Sequence, residues 1–331
     1  MMFVDPSATR RTWLISAAAL AAGGVVLPSH AQSAFRPTRP VKIISPLLPG
    51  GATDAIIRPI ALKLSELWGQ PVIVENRAGG GTIIGTQAVA QALPDGHTMG
   101  IAISAFTINP SLRKDLPYDT FKDITPITQI GRITSALVAH PAFPAHHVRD
   151  FIALAKAQPG AISWASLGVG TAGHITGELL RKRNGLDMVH VPFAGSSAAY
   201  HEILPGRIPV GFVVLESALP HVKAGKLKIL AITDPQRSKL YPEIPVIGEA
   251  VPGLGYEGVF GLIGPGALPP DILRALHTDI VKVLALPEVR KRLEEQSMER
   301  VASTPAEFSA VIRREVENWV SAVKESGADV K

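Results

Sequence analysis

Four glycine-rich stretches are where this chain could do chemistry: Pro49-Gly50-Gly51-Ala52-Thr53-Asp54, Ala78-Gly79-Gly80-Gly81-Thr82, Ser166-Leu167-Gly168-Val169-Gly170-Thr171-Ala172-Gly173-His174 and Ala194-Gly195-Ser196-Ser197. Each precedes a segment with helical spacing. Glycine lets a backbone approach a ligand closely. The first N–H groups of a helix lack internal partners, and the helix dipole adds partial positive charge there. Such turns bind anions without any lysine or arginine. One hydrogen bond to a charged group contributes about 1.5–3 kcal/mol. Three or four would reach the ~8 kcal/mol of a micromolar site before ordering costs. Glycine turns capped by Ser, Thr or Asp are also routine in α/β folds. Only the four together, all at strand C-terminal ends, point to a ligand.

Other chemistry is thinly represented. Gly168-Val169-Gly170-Thr171-Ala172-Gly173 matches the dinucleotide pattern G-x-G-x-x-G. That pattern needs an acid closing the next strand, about 20 residues on. Asp187 has the spacing but precedes its strand, Met188 to Val191. No G-x-S-x-G occurs, since Trp164-Ala165-Ser166-Leu167-Gly168 lacks the first glycine. No H-E-x-x-H occurs, and His146-His147 reads as an exposed pair in a proline-flanked turn. His174 either bonds an anion or caps its helix. Asp54 reads as a helix cap rather than a general base. Glu216 either faces a cleft or merely begins the helix before Pro220.

The elements that must position these turns are legible. Val41 to Ile44, Val72 to Val74 and Thr98 to Ile103 are β-rich runs. Between them lie a helix from about Asp54 to Gly69 and another from Thr82 to Ala92. This order predicts a parallel sheet covered by helices, with its loops on one edge. The pattern recurs: helix Val148–Gln158, strand Ile162–Ala165, helix Thr171–Lys182, strand Met188–Val191, helix Ser196–Leu204, strand Val210–Val214, helix Ala218–Ala224, strand Leu227–Ile232. The tail is helical over Pro269–Leu284, Pro287–Gln296 and Pro305–Glu325. The last helix opens with the capping box Thr304-Pro305-Ala306-Glu307 and carries the stripe Phe308, Ile312, Val316, Trp319 and Val323. Extended crossings near Ile124–Val138 and Leu227–Thr233 predict two lobes, 36–134 plus 233–331 and 135–232, with a cleft between them.

Composition excludes several classes. The 331 residues include no cysteine, so disulfides and thiolate chemistry are absent. Basic and acidic residues number 33 and 28 and are interspersed, which leaves no nucleic-acid footprint. At the start, Arg10 and Arg11 precede an apolar stretch, Leu14 to Leu27, and then Pro28-Ser29-His30-Ala31. This reads as a secretory signal over 1–31, cut after Ala31 or else Ser33. The stretch is too short to cross about 30 Å of hydrocarbon. Thr9 to Leu14 also fits a twin-arginine signal, with Trp13 where Phe is usual.

These residues resemble a known family. Arg39-Pro40-Val41-Lys42-Ile43-Ile44-Ser45-Pro46, Pro49-Gly50-Gly51 with Asp54, Glu75-Asn76-Arg77-Ala78-Gly79-Gly80-Gly81 and Pro94-Asp95-Gly96-His97-Thr98 carry the likeness. So do Leu116-Pro117-Tyr118-Asp119, Gly168 to His174, His190-Val191-Pro192-Phe193-Ala194-Gly195-Ser196 and Ala224-Gly225-Lys226-Leu227. They are similar to the tripartite tricarboxylate transporter substrate-binding proteins, the Bug receptors, from about Arg36 to the C-terminus. The resemblance implies an α/β, two-lobed periplasmic binding protein type II fold. Each lobe would be a mainly parallel sheet flanked by helices, with the ligand cleft between them. It implies a non-enzymatic periplasmic receptor for a small organic carboxylate, monomeric and without cofactor or metal. Membrane permease subunits or a sensor protein would be its transient partners. Carried over, the ligand-binding residues are Gly50, Gly51, Thr53, Asp54 and Ser104 from lobe one. Lobe two supplies Ser166, Gly170, Thr171, His174, Gly195 and Ser196.

Three departures bear on the ligand: Leu47-Leu48 before Pro49, Phe193-Ala194 before Gly195, and Val213-Val214 where the family often has Asp-Asn. Losing that Asp argues against an ammonium-bearing ligand and for a more hydrophobic or aromatic carboxylate. Two other readings remain: an exported dinucleotide-dependent enzyme using Gly168–Gly173, and an interaction module using the C-terminal helix.

Overall fold

The computed structural model describes residues 35–193, 195–296 and 298–327, with no account of the Ala52 side chain. The leader read from Arg10, Arg11 and Ala31 lies outside them, as does Ala194. In chain order the elements are β1 (Val41–Ser45), α1 (Ala52–Trp68), β2 (Val72–Asn76), α2 (Ile83–Ala90), β3 (Thr98–Ile103), α3 (Ser104–Leu112), β4 (Ile124–Arg132), β5 (Ser135–Ala139), α4 (Val148–Ala157), β6 (Ile162–Ser166), α5 (Ala172–Asn184), β7 (Met188–Pro192), α6 (Ser196–Ile203), β8 (Val210–Val214), α7 (Leu215–Lys223), β9 (Lys228–Ile232), β10 (Phe260–Pro265), α8 (Pro270–Ala285), α9 (Pro287–Glu295), β11 (Glu299–Arg300) and α10 (Pro305–Ser326).

The strands form two sheets, ordered β11-β4-β10-β3-β1-β2 and β7-β6-β8-β5-β9. Most strands of each sheet share one direction. In the first, β10 lies antiparallel between β3 and β4. In the second, β5 lies antiparallel between β8 and β9. Each of these two strands follows a passage of the chain from the other sheet. The fold is thus two α/β lobes with turns of both facing a shared cleft.

Local causes are plain. Helix α1 buries Ile56, Ile57, Ile60, Ala61 and Leu64, the helical stripe of its sequence, against β1 and β3. It stops at Gly69, whose φ of 64° suits glycine. Helix α10 starts at the predicted capping box: Thr304 Oγ1 accepts from Glu307 N–H, and Glu307 Oε2 accepts from Thr304 N–H. Its stripe divides between the lobes. Phe308, Ile312 and Val316 pack with Ile44, Val89 and Phe106, whereas Trp319 packs with Trp164 and Tyr256 in the other core.

The passages between lobes are tied by backbone hydrogen bonds. Leu215 N–H donates to Thr134 O, Thr233 N–H to Ser135 O, and Tyr256 N–H to Thr233 O. After Ile232 the chain stays with the second sheet: Ile244 and Val246 join one of its cores, and Ile247, Val251, Leu254 and Tyr256 the other. Val259 is the next core residue, and it packs in the first lobe.

Candidate functional site

The cleft holds a cavity of about 400 Å³. From the first lobe come Leu47 of the β1–α1 turn, Thr53 and Ile56 in the first turns of α1, Gly81, then Ser104, Ile108, Asn109 and Leu112 along α3 and Arg113 just after it. From the second come Leu167 and Val169 to Gly173 of the β6–α5 turn, Phe212 to Val214 at the end of β8, and Glu216 in α7. Ile133 and Ser135 line it from the passage between lobes, and Met298 from the tail.

The sequence-predicted residues divide into wall and scaffold. Thr53, Ser104, Gly170 and Thr171 line the cavity. Gly50, Gly51, Asp54, Ser166, His174, Gly195 and Ser196 are not among its lining residues. Asp54 is instead spent on its own loop: it accepts from Gly50 N–H at 3.0 Å, from Arg58 at 2.8 Å and from Asn76 Nδ2 at 3.2 Å. Burial works to raise its pKa, yet these donors hold it below the ordinary value. It is a structural anion that shapes the turn for Thr53.

Ser166 and His174 brace the Gly168–Gly173 turn from behind. Ser166 is fully buried, 2.7 Å from His190 Nε2. His174 Nδ1 accepts from Gly170 N–H at 3.1 Å, so that amide is not available to a guest. Thr171 Oγ1 donates to Gly168 O and accepts from His174 N–H. The rings of Trp164, His190 and His174 form a stack, with neighbouring centroids 4.2 and 4.4 Å apart. Burial lowers the pKa of both histidines, His190 to about 4, where neighbouring His174 adds to the effect. The stack is therefore neutral at pH 7.

This sets a pH dependence. A histidine that binds its proton less readily folded than unfolded stabilises fully above its ordinary value near 6.5 and loses that contribution as pH falls toward 4. The full shift corresponds to about 3 kcal/mol, and partial exposure reduces this to ~1–2 kcal/mol. Urea midpoints should fall between pH 7 and 4.5, and His190→Gln should flatten the slope. An equal slope in the variant would refute the assignment.

Sequence reasoning missed Asn109, Arg113 and Ser135. Asn109 lies in α3 and Arg113 directly follows it, and the β-branched residues and Pro110 of that segment disfavour a helix. The available signal was Ser104 directly after a strand at the loop edge. Asn109 Nδ2 donates to Gly81 O at 2.9 Å and Thr82 Oγ1 at 3.3 Å, holding the Gly79–Gly81 turn against the cavity. Thr82 sits there at a φ of 83°, a left-handed conformation unusual for threonine. Arg113 and Glu216 are the charged lining residues.

No group of three or more His, Cys, Asp or Glu among the described residues could hold a metal ion. No helix among them is long and apolar enough to cross a membrane. Asp187 lies at the start of β7, which runs parallel to β6, so it is at the opposite sheet edge from the Gly168–Gly173 turn. The arrangement can enclose a small acid by one cation, several hydroxyls and an apolar wall.

Comparison with known proteins agrees with this geometry. The family model described as the tripartite tricarboxylate transporter family receptor matches residues 56–328. Protein BugT of Bordetella pertussis is 31% identical over 94% of this chain and 96% of its own. A solved periplasmic transporter superposes with a TM-score of 0.78 at 35% identity, covering 90% of this chain and all of that one. R. palustris Rpa4515, solved with adipate, has a TM-score of 0.78 at 28% identity, covering 89% and 99%.

Proposed function

We propose that this chain, which belongs to the tripartite tricarboxylate transporter receptor family, captures a small carboxylate with a substantial apolar body, aliphatic or aromatic. The observation that carries this reading is the cavity's asymmetry. Leu47, Ile56, Ile103, Ile108, Phe212, Val213 and Val214 give it apolar walls, and Arg113 at the end of α3 is its cation. No described residue forms an ion pair with the Arg113 guanidinium, so it is open to the guest's carboxylate. Thr53 and Ser104 can donate hydroxyl protons to the guest's oxygens from the first lobe. The volume falls within the usual range for a small ligand. The adipate held by Rpa4515 is a chemically similar guest.

The receptor works by closure. Only the closed form lets both lobes touch the guest, so the guest shifts the population toward it. The closing bodies are, on this reading, 36–134 plus 257–331 and 135–256. Core packing of Ile247, Val251, Leu254 and Tyr256 supports moving 233–256 into the second lobe. The protein is exported to the periplasm with its leader cut near Ala31. It acts as a monomer without catalysis and passes its guest to permease subunits or a sensor.

Thermal-shift screening of the purified chain against a carboxylate panel tests the reading. Adipate-like or aromatic acids should raise the melting temperature. A preference for glutamate or aspartate would refute the apolar-guest reading. Stabilisation by NAD(P) with no acid effective would refute the receptor. Arg113→Ala should weaken the best acid about 10- to 100-fold, the size of a lost hydrogen bond to a charged group. Arg113→Lys should recover part of it. Calorimetric affinities for Arg113→Ala equal to wild type would remove Arg113 from the site.

A further inference from the structure

We propose that Glu216 is the specificity-determining residue of the second lobe, donating its carboxyl proton in a hydrogen bond to an oxygen of the bound acid. The inference rests on the receptor reading above. Glu216 lies in the first turn of α7 and lines the cavity next to Phe212, Val213 and Val214. Its Oε2 is closed off from solvent and has no partner among the described residues. A buried polar atom without a partner is costly, and an unpaired buried charge more so. A turn of the carboxyl about its last side-chain bond toward the cavity would let a guest's oxygen supply what Oε2 lacks.

The groups around α7 favour the neutral acid. Strands β5, β8 and β9 pack against it. Beyond β9 lies Asp234, itself buried and of like charge. Before β5 lies Arg132, which is engaged by Glu257 at 2.7 Å and Glu299 at 3.5 Å. From α6, Tyr200 bonds Ser217 Oγ at 2.8 Å. His221 and Lys223 sit at the far end of α7. Across the cavity, Arg113 is the anchor for the guest's own carboxylate. Burial pushes the Glu216 carboxyl up to about 8, its own N–H opposing and Asp234 adding to the effect. An ionised Glu216 would meet an anionic guest as a like charge, whereas the acid form meets it as a donor.

Binding and protonation are therefore linked, and reciprocally so. Above about pH 8 the guest must recruit a proton to Glu216, and affinity should fall toward tenfold per pH unit. A guest offering a second acceptor opposite Arg113 is preferred over one that ends in a methyl group.

The test is calorimetry on the full chain with adipate, malate, citrate and benzoate, from pH 6.5 to 9.5, in buffers of different ionisation enthalpy. Wild type should lose affinity above pH 8 and take up a proton on binding. Glu216→Gln keeps a donor but cannot ionise, so its affinity should be flat with pH and exceed wild type at pH 9.5. Glu216→Val should lose about tenfold at pH 7 and show no proton uptake. The same pH profile in Glu216→Gln as in wild type would overturn the proposal while leaving the receptor intact. Binding of none of the acids to any of the three proteins would overturn the receptor reading and this one with it.

Discussion

Gly258→Ala is expected to lower the melting temperature by about 4–5 °C, the shift that ~3 kcal/mol of overpacking produces in a chain of this size. A Cβ at Gly258 would lie 1.8 Å from Ile133 O and 2.7 Å from Ile133 C. Both are main-chain atoms, so no side-chain rotation relieves the contact. Ile133 is on the outward passage between lobes and Gly258 on the return, so the two passages touch backbone to backbone. The added methyl must separate them, straining the neighbouring bonds Leu215 N–H to Thr134 O and Tyr256 N–H to Thr233 O. Gly225→Ala is the control. That glycine has a φ of +68° with nothing within 4 Å of the added carbon, so its substitution costs only the left-handed conformation, about 1–2 kcal/mol. Circular dichroism melts of both variants decide the matter. Gly258→Ala melting within 2 °C of wild type would show that the passages have slack. The proposed lobe closure would bend these same passages, so on that reading the variant should also bind ligand more weakly than its stability alone explains.

Sequence pattern located strands and helices wherever one periodicity dominated. Strand β8 reads as VGFVV and β3 as TMGIAI, and both lie where the apolar runs put them. It passed over β10, whose FGLIGP looks like a turn. There the tertiary context decides: a Cβ at Gly261 would come within 2.5 Å of the Phe308 ring, so the strand needs glycine to let α10 pack. Helix α3 was missed for the opposite reason, since its propensity is poor and its packing against α10 carries it.

The site shows a further limit. A glycine turn after a strand announces unpaired amides, but not whether the protein itself uses them. Gly170 N–H is taken by His174, and Gly50 N–H by Asp54. The residues that reach the cavity instead include Asn109 and Arg113, which arrive on a helix that periodicity did not detect. Of the departures in sequence, Leu47, Val213 and Val214 are in the wall, whereas Phe193 is not among the lining residues. Leu48 points elsewhere and is 76% exposed.

Glu257→Ala should cost about 2–4 kcal/mol, somewhat under the 3–5 kcal/mol of a fully buried broken ion pair. Glu257 is buried just before the return passage, where three donors converge on it: Arg132 at 2.7 Å, Gln129 at 3.2 Å and Arg314. They come from β4 and α10, so one carboxylate joins the end of a sheet strand, the return passage and the terminal helix. Burial works to raise its pKa, and Arg132, with Gln129 and Arg314, outweighs that and holds it below the ordinary value. Its contribution is therefore complete above the usual glutamate range and lost as pH falls below it. Removing the carboxylate leaves Gln129, 1% exposed, without its acceptor, which costs about 1–3 kcal/mol. Arg132 and Arg314 retain access to water, at 35% and 52% exposure, and this limits the remainder. Glu257→Gln keeps one acceptor but turns an amide donor toward cations, so it should fall between wild type and Glu257→Ala. Replacing Arg132 as well, by methionine, should recover part of the Glu257→Ala loss, because an apolar side chain does not need the missing charge. Urea unfolding at pH 7 measures all of these. If Glu257→Ala unfolds within 0.5 kcal/mol of wild type, the cluster is a solvated group of charges and not a clasp between sheet, passage and helix.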